Sequence, residues 1–335
     1  MAPSDDGGPL VSVLIVNFNG RHHLAECLQA LRRQSLPAHL WETILIDNGS
    51  HDGSCEFVAR QFPSVRIIAL DGNTGFASGN NIGLRHARGQ FIALLNNDTS
   101  AHLDWLRAML TTLQQHPEAG GVACKILFHH DPTLLNSAGL QLLRDGRGAD
   151  RGFRQRDEGQ FDQPGDVFGA CGAAMLLRRM MLDDVGFFDD RLFMYYEDLD
   201  LCWRARRRGW KFVYEPAAVV RHVHCGSSSE ASPFFCFHVE RNRVLVNLKN
   251  NTPMLALLVL IGFLARAARC WFRIIRSGNR GAWQTAHGMA FLRAAGSIAF
   301  WLPVLLAERL RPVPGRRPMC ETESTESIQP AARAA

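Results

Sequence analysis

Residues 10–20 read LVSVLIVNFNG, a run of apolar, mostly β-branched side chains that ends in Asn17, Asn19 and Gly20. A short apolar run closed by turn residues is the form of a parallel strand buried on both faces. Beyond Gly20, Leu24, Cys27, Leu28 and Leu31 recur at three and four residues, the period of a helix with one buried stripe. A strand followed at once by a helix is half of a βαβ unit, and the question is whether the pattern repeats.

It does, three more times. Residues 41–46 (WETILI) form a second apolar strand ending in Asp47-Asn48-Gly49-Ser50, and a helix is expected over 54–62. Residues 65–70 form a third strand, followed by GNTGFASGNNIG (72–83) and a helix near 80–88. Residues 91–100, FIALLNNDTS, make a fourth strand ending in Asn96, Asn97 and Asp98, with a helix expected over 102–116. Alternation of this kind predicts an α/β protein with a mostly parallel sheet flanked by helices, in which ligands bind at the carboxyl ends of the strands. One polar strand end is only a loop beginning. Four with the same chemistry predict a shared ligand-binding edge.

Further along, 131–165 is rich in Gly, Arg and Asp and is expected to be mobile loop. VFGACGAAMLLRR (167–179) is a small-residue turn entering a strand, MYYEDLDLCWRARRRGW (194–210) is loop then helix, and KFVYEP and AAVVRHVH are two short strands. The glycine-rich 72–83 stretch lacks G-x-G-x-x-G spacing and follows the third strand, so it is no dinucleotide fingerprint.

The chain of 335 residues is long enough for one large or two smaller domains, and its net charge of +5 does not point to a nucleic-acid binder. The distribution of that charge is uneven. Between Lys249 and Arg317 eleven Lys or Arg face one acid, Glu308, a net +10 that leaves the remainder at −5. A mildly acidic body is thus followed by a basic, apolar region. Nine cysteines without a C-x-x-C pair suggest reduced thiols, and the opening MAPSDDGGPL has no basic-then-apolar leader. The expected location is cytoplasmic.

Taken in order, VSVLIVNFNG, ILIDNGSHDGS, DGNTGFASGNNIGL, FIALLNNDT, GACGAAMLLRR, MYYEDLDLCWRARRRGW and VVRHVHCGSS resemble family 2 glycosyltransferases of the GT-A fold, most of all their bacterial rhamnosyltransferase-type branch, over about residues 11–245. The resemblance implies a nucleotide-sugar donor held with Mg²⁺ or Mn²⁺. A divalent cation between a carboxylate and the donor diphosphate stabilises the leaving group without a proton, and it needs only one or two protein ligands. Asp98 is the expected metal ligand. The family usually carries Asp-x-Asp here, whereas this chain has Asn96-Asn97-Asp98, so one carboxylate is missing and Asn96 is left to offer an amide oxygen or a sugar contact. Asp47 is expected to accept hydrogen bonds from the base or ribose, with Asn17 and Asn19 in the same pocket; Asn73, Asn80, Asn81 and Asn97 complete the nucleotide-sugar set.

An inverting transfer needs a base for the acceptor hydroxyl. The resemblance places it in Glu197-Asp198, with Asp198 first and Glu197 second; the plainer reading is acidic residues favoured in a first helical turn, with Asp200 and Arg204 paired one turn apart. His222 and His224 point the same way from a strand. The resemblance implies a His in this region as a metal or diphosphate ligand, which would make up for the missing carboxylate; His224, next to the Gly-Ser loop, is preferred, and a hydrogen-bonded structural role is the alternative for His222. Gly169, Gly172 and Ala173 are expected to keep the acceptor side open.

MLALLVLIGFLA (254–265) is too short for the ~20 residues of a spanning helix. Arg266, Arg269, Arg273 and Arg276 follow at helical spacing, and a second apolar stretch covers 288–307. Basic amphipathic helices with Trp and Phe predict an interfacial anchor; helices packed on the body or on a second copy are the alternative. The expected organisation is a GT-A domain over 10–248, a basic helical membrane-associating region over 249–312 and a disordered tail over 313–335. The expected activity is a metal-dependent inverting transfer, best of L-rhamnose from dTDP-L-rhamnose, to a lipid-linked saccharide at the inner face of the plasma membrane. A UDP-hexose or UDP-galactofuranose donor and a non-catalytic nucleotide-sugar-binding or scaffold protein are the rivals. Homo-oligomerisation is left open.

Overall fold

The computed structural model describes residues 8–224, 229–276 and 282–310. The expected disorder of 313–335 and the loop residues Gly226, Ser227 and Ser228 lie outside the described residues. In chain order the elements are β1 (Val11–Asn17), α1 (Arg21–Arg32), β2 (Trp41–Asp47), α2 (Ser54–Gln61), β3 (Arg66–Ala69), α3 (Gly75–His86), β4 (Phe91–Leu95), β5 (Thr99–Ala101), α4 (Trp105–Gln115) and β6 (Ala119–Phe128). There follow β7 (Leu135–Ser137), β8 (Leu140–Leu142), β9 (Gly148–Asp150), β10 (Gly165–Val167), β11 (Ala174–Arg178), α5 (Arg179–Val185), α6 (Glu197–Arg207), β12 (Lys211–His222), α7 (Pro233–Asn250), α8 (Pro253–Arg276) and α9 (Ala282–Leu310).

The main sheet runs β10-β12-β6-β11-β4-β1-β2-β3. Its β3-β2-β1-β4 half is parallel, and β11 runs antiparallel to both β4 and β6, so the sheet becomes mixed from there. Because β1 has β2 on one side and β4 on the other, the chain reverses its winding at β1, and a crevice opens above the carboxyl ends of these strands. Both faces of β1 are buried. Val13 and Ile15 pack with Leu24, Leu28 and Leu31 of α1, while Leu14 packs with Ile44, Ile46 and Ile92 on the other face.

Several features depart from the expectation. β6, at the centre of the sheet, is not anticipated by the sequence reading: Gly120-Gly121 and Lys125 hide a strand that is buried nearly throughout. Gly121 is required by packing, since a Cβ there would sit 2.8 Å from Leu177 Cδ2. Lys125 is neutralised by Asp157 at 2.8 Å and by Asp162, an ion pair that pins down part of 131–165. That stretch is therefore not a mobile loop; it contributes β7, the β8–β9 hairpin and β10. The two expected strands KFVYEP and AAVVRHVH are one, β12, with a bulge between Glu215 and Val219 where Pro216 has no N–H to offer the ladder. Short β5 pairs with the far end of β12 and puts Thr99 opposite His222.

Behind α6, a third core joins Leu199 and Trp203 to α7, α8 and α9. α7 begins with Ser232, whose hydroxyl accepts from Phe235 N, and Pro233 in its first turn. α9 lies along the whole of α7: His287 Nε2 donates to Ala231 O (2.9 Å) near one end, and Arg309 donates to Leu248 O (2.9 Å) at the other. The expectation of a helix too short to span is corrected here. α8 continues through its arginines to 24 residues, about 36 Å at 1.5 Å per residue, and both α8 and Thr285–Leu310 of α9 are long and apolar enough to cross a bilayer. Arg266 stays on α8 by pairing with Glu240 of α7 at 2.8 Å.

Candidate active site

A cavity of about 720 Å³ opens over the carboxyl ends of β1, β2 and β4. Its walls include Asn48, Asn73, Asn96, Asn97 and Asp98 on the sheet side, and Asp150, Gly172, Glu197, Asp198 and His222 around the rest.

The sheet side is held by a relay of amides. Asn97 Nδ2 donates to Asn17 Oδ1 (2.7 Å), Asn17 Nδ2 donates to Asp47 Oδ1 (2.9 Å), and Asp47 also accepts from Ser50 N and Oγ. Asn17 and Asp47 are thus buried behind Asn97 and do not reach the cavity. Gly20 is needed by this relay, because a Cβ there would fall 2.1 Å from Asn97 Nδ2. Asn48, unassigned in the sequence reading, lines the cavity and donates to Gly75 O. Asn73 lines it too and accepts from Gly75 N. Asn19, Asn80 and Asn81 do not line it. Asn19 accepts from His51 N, Asn80 donates to Phe76 O within its own helix, and Asn81 exchanges bonds with the Phe188 backbone.

Asp98 is buried at the β4 exit, and its Oδ1 has no hydrogen-bond partner. The β5–β12 pairing brings His222 to it: Nε2 lies 3.3 Å from Asp98 Oδ1, and Asn96 Nδ2 is 3.4 Å from the same nitrogen. On its other side His222 Nδ1 donates to Asn136 Oδ1 at 2.8 Å, which fixes the ring with Nε2 aimed at the carboxylate. Burial alone would raise the Asp98 carboxyl, but His222 and His23 outweigh it and hold Asp98 below its ordinary value. An ionised, partly unsatisfied carboxylate oxygen with an imidazole nitrogen aimed at it is a donor pair that a divalent cation could use in place of a proton. His224, the preferred ligand in the sequence reading, is turned away: Nδ1 meets Asn136 Nδ2 (3.2 Å) and Nε2 meets Glu230 Oε1 (2.9 Å). Among the described residues, no three His, Cys, Asp or Glu side chains form a complete metal cluster.

Glu197 and Asp198 open α6. Asp198 Oδ2 accepts from Gly172 N (2.9 Å) and Oδ1 from Leu199 N (2.7 Å), and burial raises its carboxyl. Glu197 is more deeply buried and its Oε2 is unpartnered; burial and the adjacent Asp198 charge push it well above the usual carboxylate range. The loop that delivers the pair is strained. Phe193, Tyr195 and Tyr196 have φ of 62°, 70° and 70°, where non-glycine residues are rare. Buried Asn242 of α7 holds this loop, its Nδ2 facing Leu192 O (2.9 Å), Met194 O (2.8 Å) and Tyr195 O (2.7 Å). Neither Asn242 nor Asn136 carries a sequence signal. Arg204 belongs to the scaffold, bonded to Asp200 at 2.8 Å and to backbone carbonyls before α6. Of the small residues, Gly172 and Ala173 line the cavity, while Gly169 abuts Cys202.

Comparison with known proteins follows the same lines. The sequence profile described as "Glycosyl transferase family 2" matches residues 12–186, just over half of the chain. An N-acetylglucosaminyl-diphospho-decaprenol L-rhamnosyltransferase of Mycobacterium tuberculosis is 28% identical over 68% of this chain and 81% of its own length. Glycosyltransferase AglE of Haloferax volcanii is 34% identical over 31% of this chain, which spans about a third (36%) of that protein. Among solved structures, GalNAc-T7 with UDP, GalNAc and Mn²⁺ superposes with a TM-score of 0.60 at 15% identity, covering 90% of this chain and 58% of that one. A mannosyltransferase of Pyrobaculum calidifontis with GDP-Man and Mn²⁺ gives 0.51 at 16% identity, covering 88% and 87%. At such identities the likeness is one of fold: a GT-A-like mixed sheet flanked by helices, extended here by two apolar helices.

Proposed function

The chain belongs to glycosyl transferase family 2, and from that premise we propose that it transfers L-rhamnose from dTDP-L-rhamnose, with inversion, to a lipid-linked saccharide. The observation that carries the reading is the single cavity that holds Asp98 and His222 at the sheet edge and the Glu197–Asp198 pair on another wall. The rhamnosyltransferase relative supports the choice of sugar and of a polyprenyl-diphosphate acceptor.

Asp98 and His222 would hold Mg²⁺ or Mn²⁺, with Asn96 beside them, and the bound cation supplies charge neutralisation on the departing diphosphate. Asn97, Asn73 and Asn48 offer amides to the nucleotide sugar, and Asn17 and Asp47 act through Asn97 by fixing its orientation. Asp198 takes the proton from the acceptor hydroxyl. Two backbone N–H groups fix its carboxylate in place, and a raised carboxyl is a better base near neutral pH. Glu197, more deeply buried and pushed up by burial and by the adjacent Asp198 charge, leaves the basic role to its neighbour.

Exposed Met254, Leu257, Leu258, Ile261 and Leu264 make one stripe on α8, and Leu292 and Phe300 are exposed on α9. A membrane surface suits them. Because α9 is docked along all of α7, whose Asn242 and Asn247 are fully buried, crossing a bilayer would carry those polar groups with it. The helices therefore lie on the membrane, on the cytoplasmic side where nucleotide sugars are found. Alkaline carbonate should strip the protein from vesicles; resistance to carbonate would mean a spanning anchor.

Calorimetry with dTDP, UDP and GDP in Mn²⁺, with assay of nucleoside-diphosphate release, tests the donor. Release of UDP without turnover of dTDP-L-rhamnose would replace rhamnose by a UDP-hexose or UDP-galactofuranose. Asp198→Asn should lower turnover at least ~100-fold while sparing dTDP affinity; an unchanged rate would remove the base assignment and favour a non-catalytic binding protein.

A further inference from the structure

Asp150 is an acidic side chain of the cavity wall that the proposed reaction leaves without a role. Asp150 ends the β8–β9 hairpin, lines the cavity, and has a buried Oδ1 without a hydrogen-bond partner. A buried polar atom left unsatisfied in a folded protein needs an explanation, and in a cavity the simplest is a ligand group.

The placement of Asp150 is built. Leu140, its partner across the hairpin, donates its N–H to Gly169 O at 2.8 Å, and the next residue, Arg151, donates to Gly139 O at 2.8 Å. Gly148 abuts α6 so closely that a Cβ would sit 2.9 Å from Leu199 Cδ2. The hairpin is thereby clamped to the wall that carries Gly172 and Asp198, away from the amides at the ends of β1, β2 and β4. The groups that act on Asp150 come from every side: Asp198 of α6, His222 of β12, Ser137 of β7 and Cys171 ahead of β11. A carboxylate would repel a donor diphosphate and suits a hydroxyl.

We infer that Asp150 is an acceptor-binding residue, whose unpartnered Oδ1 receives one hydroxyl of the acceptor sugar and turns the reacting hydroxyl toward Asp198. The inference rests on the glycosyl-transfer reading of the cavity and adds to it the residue that orients the acceptor. It also gives that binding a pH dependence. Burial and the charge of Asp198 push the Asp150 carboxyl up to about 6, so it accepts a charge-assisted hydrogen bond at neutral pH and holds the hydroxyl more weakly as it protonates.

The test needs no turnover. The affinity of the full chain for decyl-diphospho-N-acetylglucosamine, a short-chain stand-in for a lipid-linked sugar, is measured by calorimetry in the presence of dTDP and Mn²⁺. Asp150→Asn should weaken it about 10- to 100-fold at pH 7.5, the loss of a charge-assisted hydrogen bond, while dTDP affinity stays unchanged. Wild-type affinity should fall below about pH 6, and the Asn variant should lack that fall. Asp150→Glu should recover part of the loss. Affinity within threefold of the wild type, or an equal fall in dTDP affinity, overturns the assignment; no binding by the wild type overturns the acceptor chemistry. Asp198→Asn, run in parallel for turnover, tests the base separately: its failure leaves the Asp150 affinities readable.

Discussion

Replacing Asn242 should disable the protein from behind the cavity without touching a substrate. Its amide carries two protons, so of the three carbonyls it faces, two are bonded at a time and the third shares; its Oδ1 accepts from Arg241 Nε at 2.8 Å. Asn242→Ala removes two buried hydrogen bonds at ~1 kcal/mol each and leaves carbonyls unsatisfied at ~1 kcal/mol or more, a loss of roughly 3–4 kcal/mol. The loop it holds stores a comparable amount, since three non-glycine residues at positive φ cost ~1–2 kcal/mol each. With clamp and strain so nearly balanced, losing the clamp lets residues 193–196 relax, and Glu197 and Asp198 move with them. Turnover should fall ~100-fold or more, with a Tm lower by several degrees, while dTDP affinity changes little because the amide relay on the sheet side is untouched. Asn242→Asp should be worse than Ala, as it aims oxygens at carbonyl oxygens. The assay is nucleoside-diphosphate release beside calorimetry with dTDP. A variant that loses the stability but turns over within twofold of the wild type would refute the claim that the clamp positions the carboxylates.

Further expectations concern other parts of the molecule. Asp98→Asn should abolish Mn²⁺-dependent tightening of dTDP binding, and Asn96→Asp, restoring a second carboxylate, should strengthen Mn²⁺ affinity; calorimetry with and without the metal decides both. His238 is packed among Phe193, Phe234 and Phe237, and burial, helped by Arg241 and Arg293, depresses it to about 4. Its contribution to stability is present above the ordinary histidine value and is lost as pH falls toward the folded one. That loss amounts to roughly 2 kcal/mol between pH 7 and pH 5, and it should be largely absent from His238→Phe in thermal melts. Leu258→Glu with Ile261→Glu should release the protein from anionic vesicles in flotation while leaving dTDP affinity intact; retention on the vesicles would place the membrane contact elsewhere.

What could be read from the sequence was whatever depends on local periodicity. The βαβ repeats and their polar exits sit where spacing puts them, and the carboxylates of Asp98 and Glu197–Asp198 lie in the cavity that the resemblance to the family implies for them. Contacts across long separations were not legible. β6 is masked by two glycines and a lysine whose reasons, Leu177 and the Asp157–Asp162 pair, lie far along the chain. The choice between His222 and His224 turned on β5, three residues long and too short to show a period. Asn17 and Asp47 have ligand-binding chemistry but spend it on Asn97 and Ser50. Asp150 had one usable signal, the Asp145-Gly146 turn between two short extended runs, which marks a hairpin and hence a fixed position for the residue at its end.

α7 touches two things at once: its Asn242 grips the loop of the carboxylate pair, and its flank is the bed on which α9 lies from end to end. No hinge separates these two duties. Any surface that the outer faces of α8 and α9 rest on therefore stands at a set height from Asp198, like a table edge from a fixed jig. Reach then becomes a property of the acceptor: a sugar too near its anchor or too far from it meets the cavity wall instead of the base.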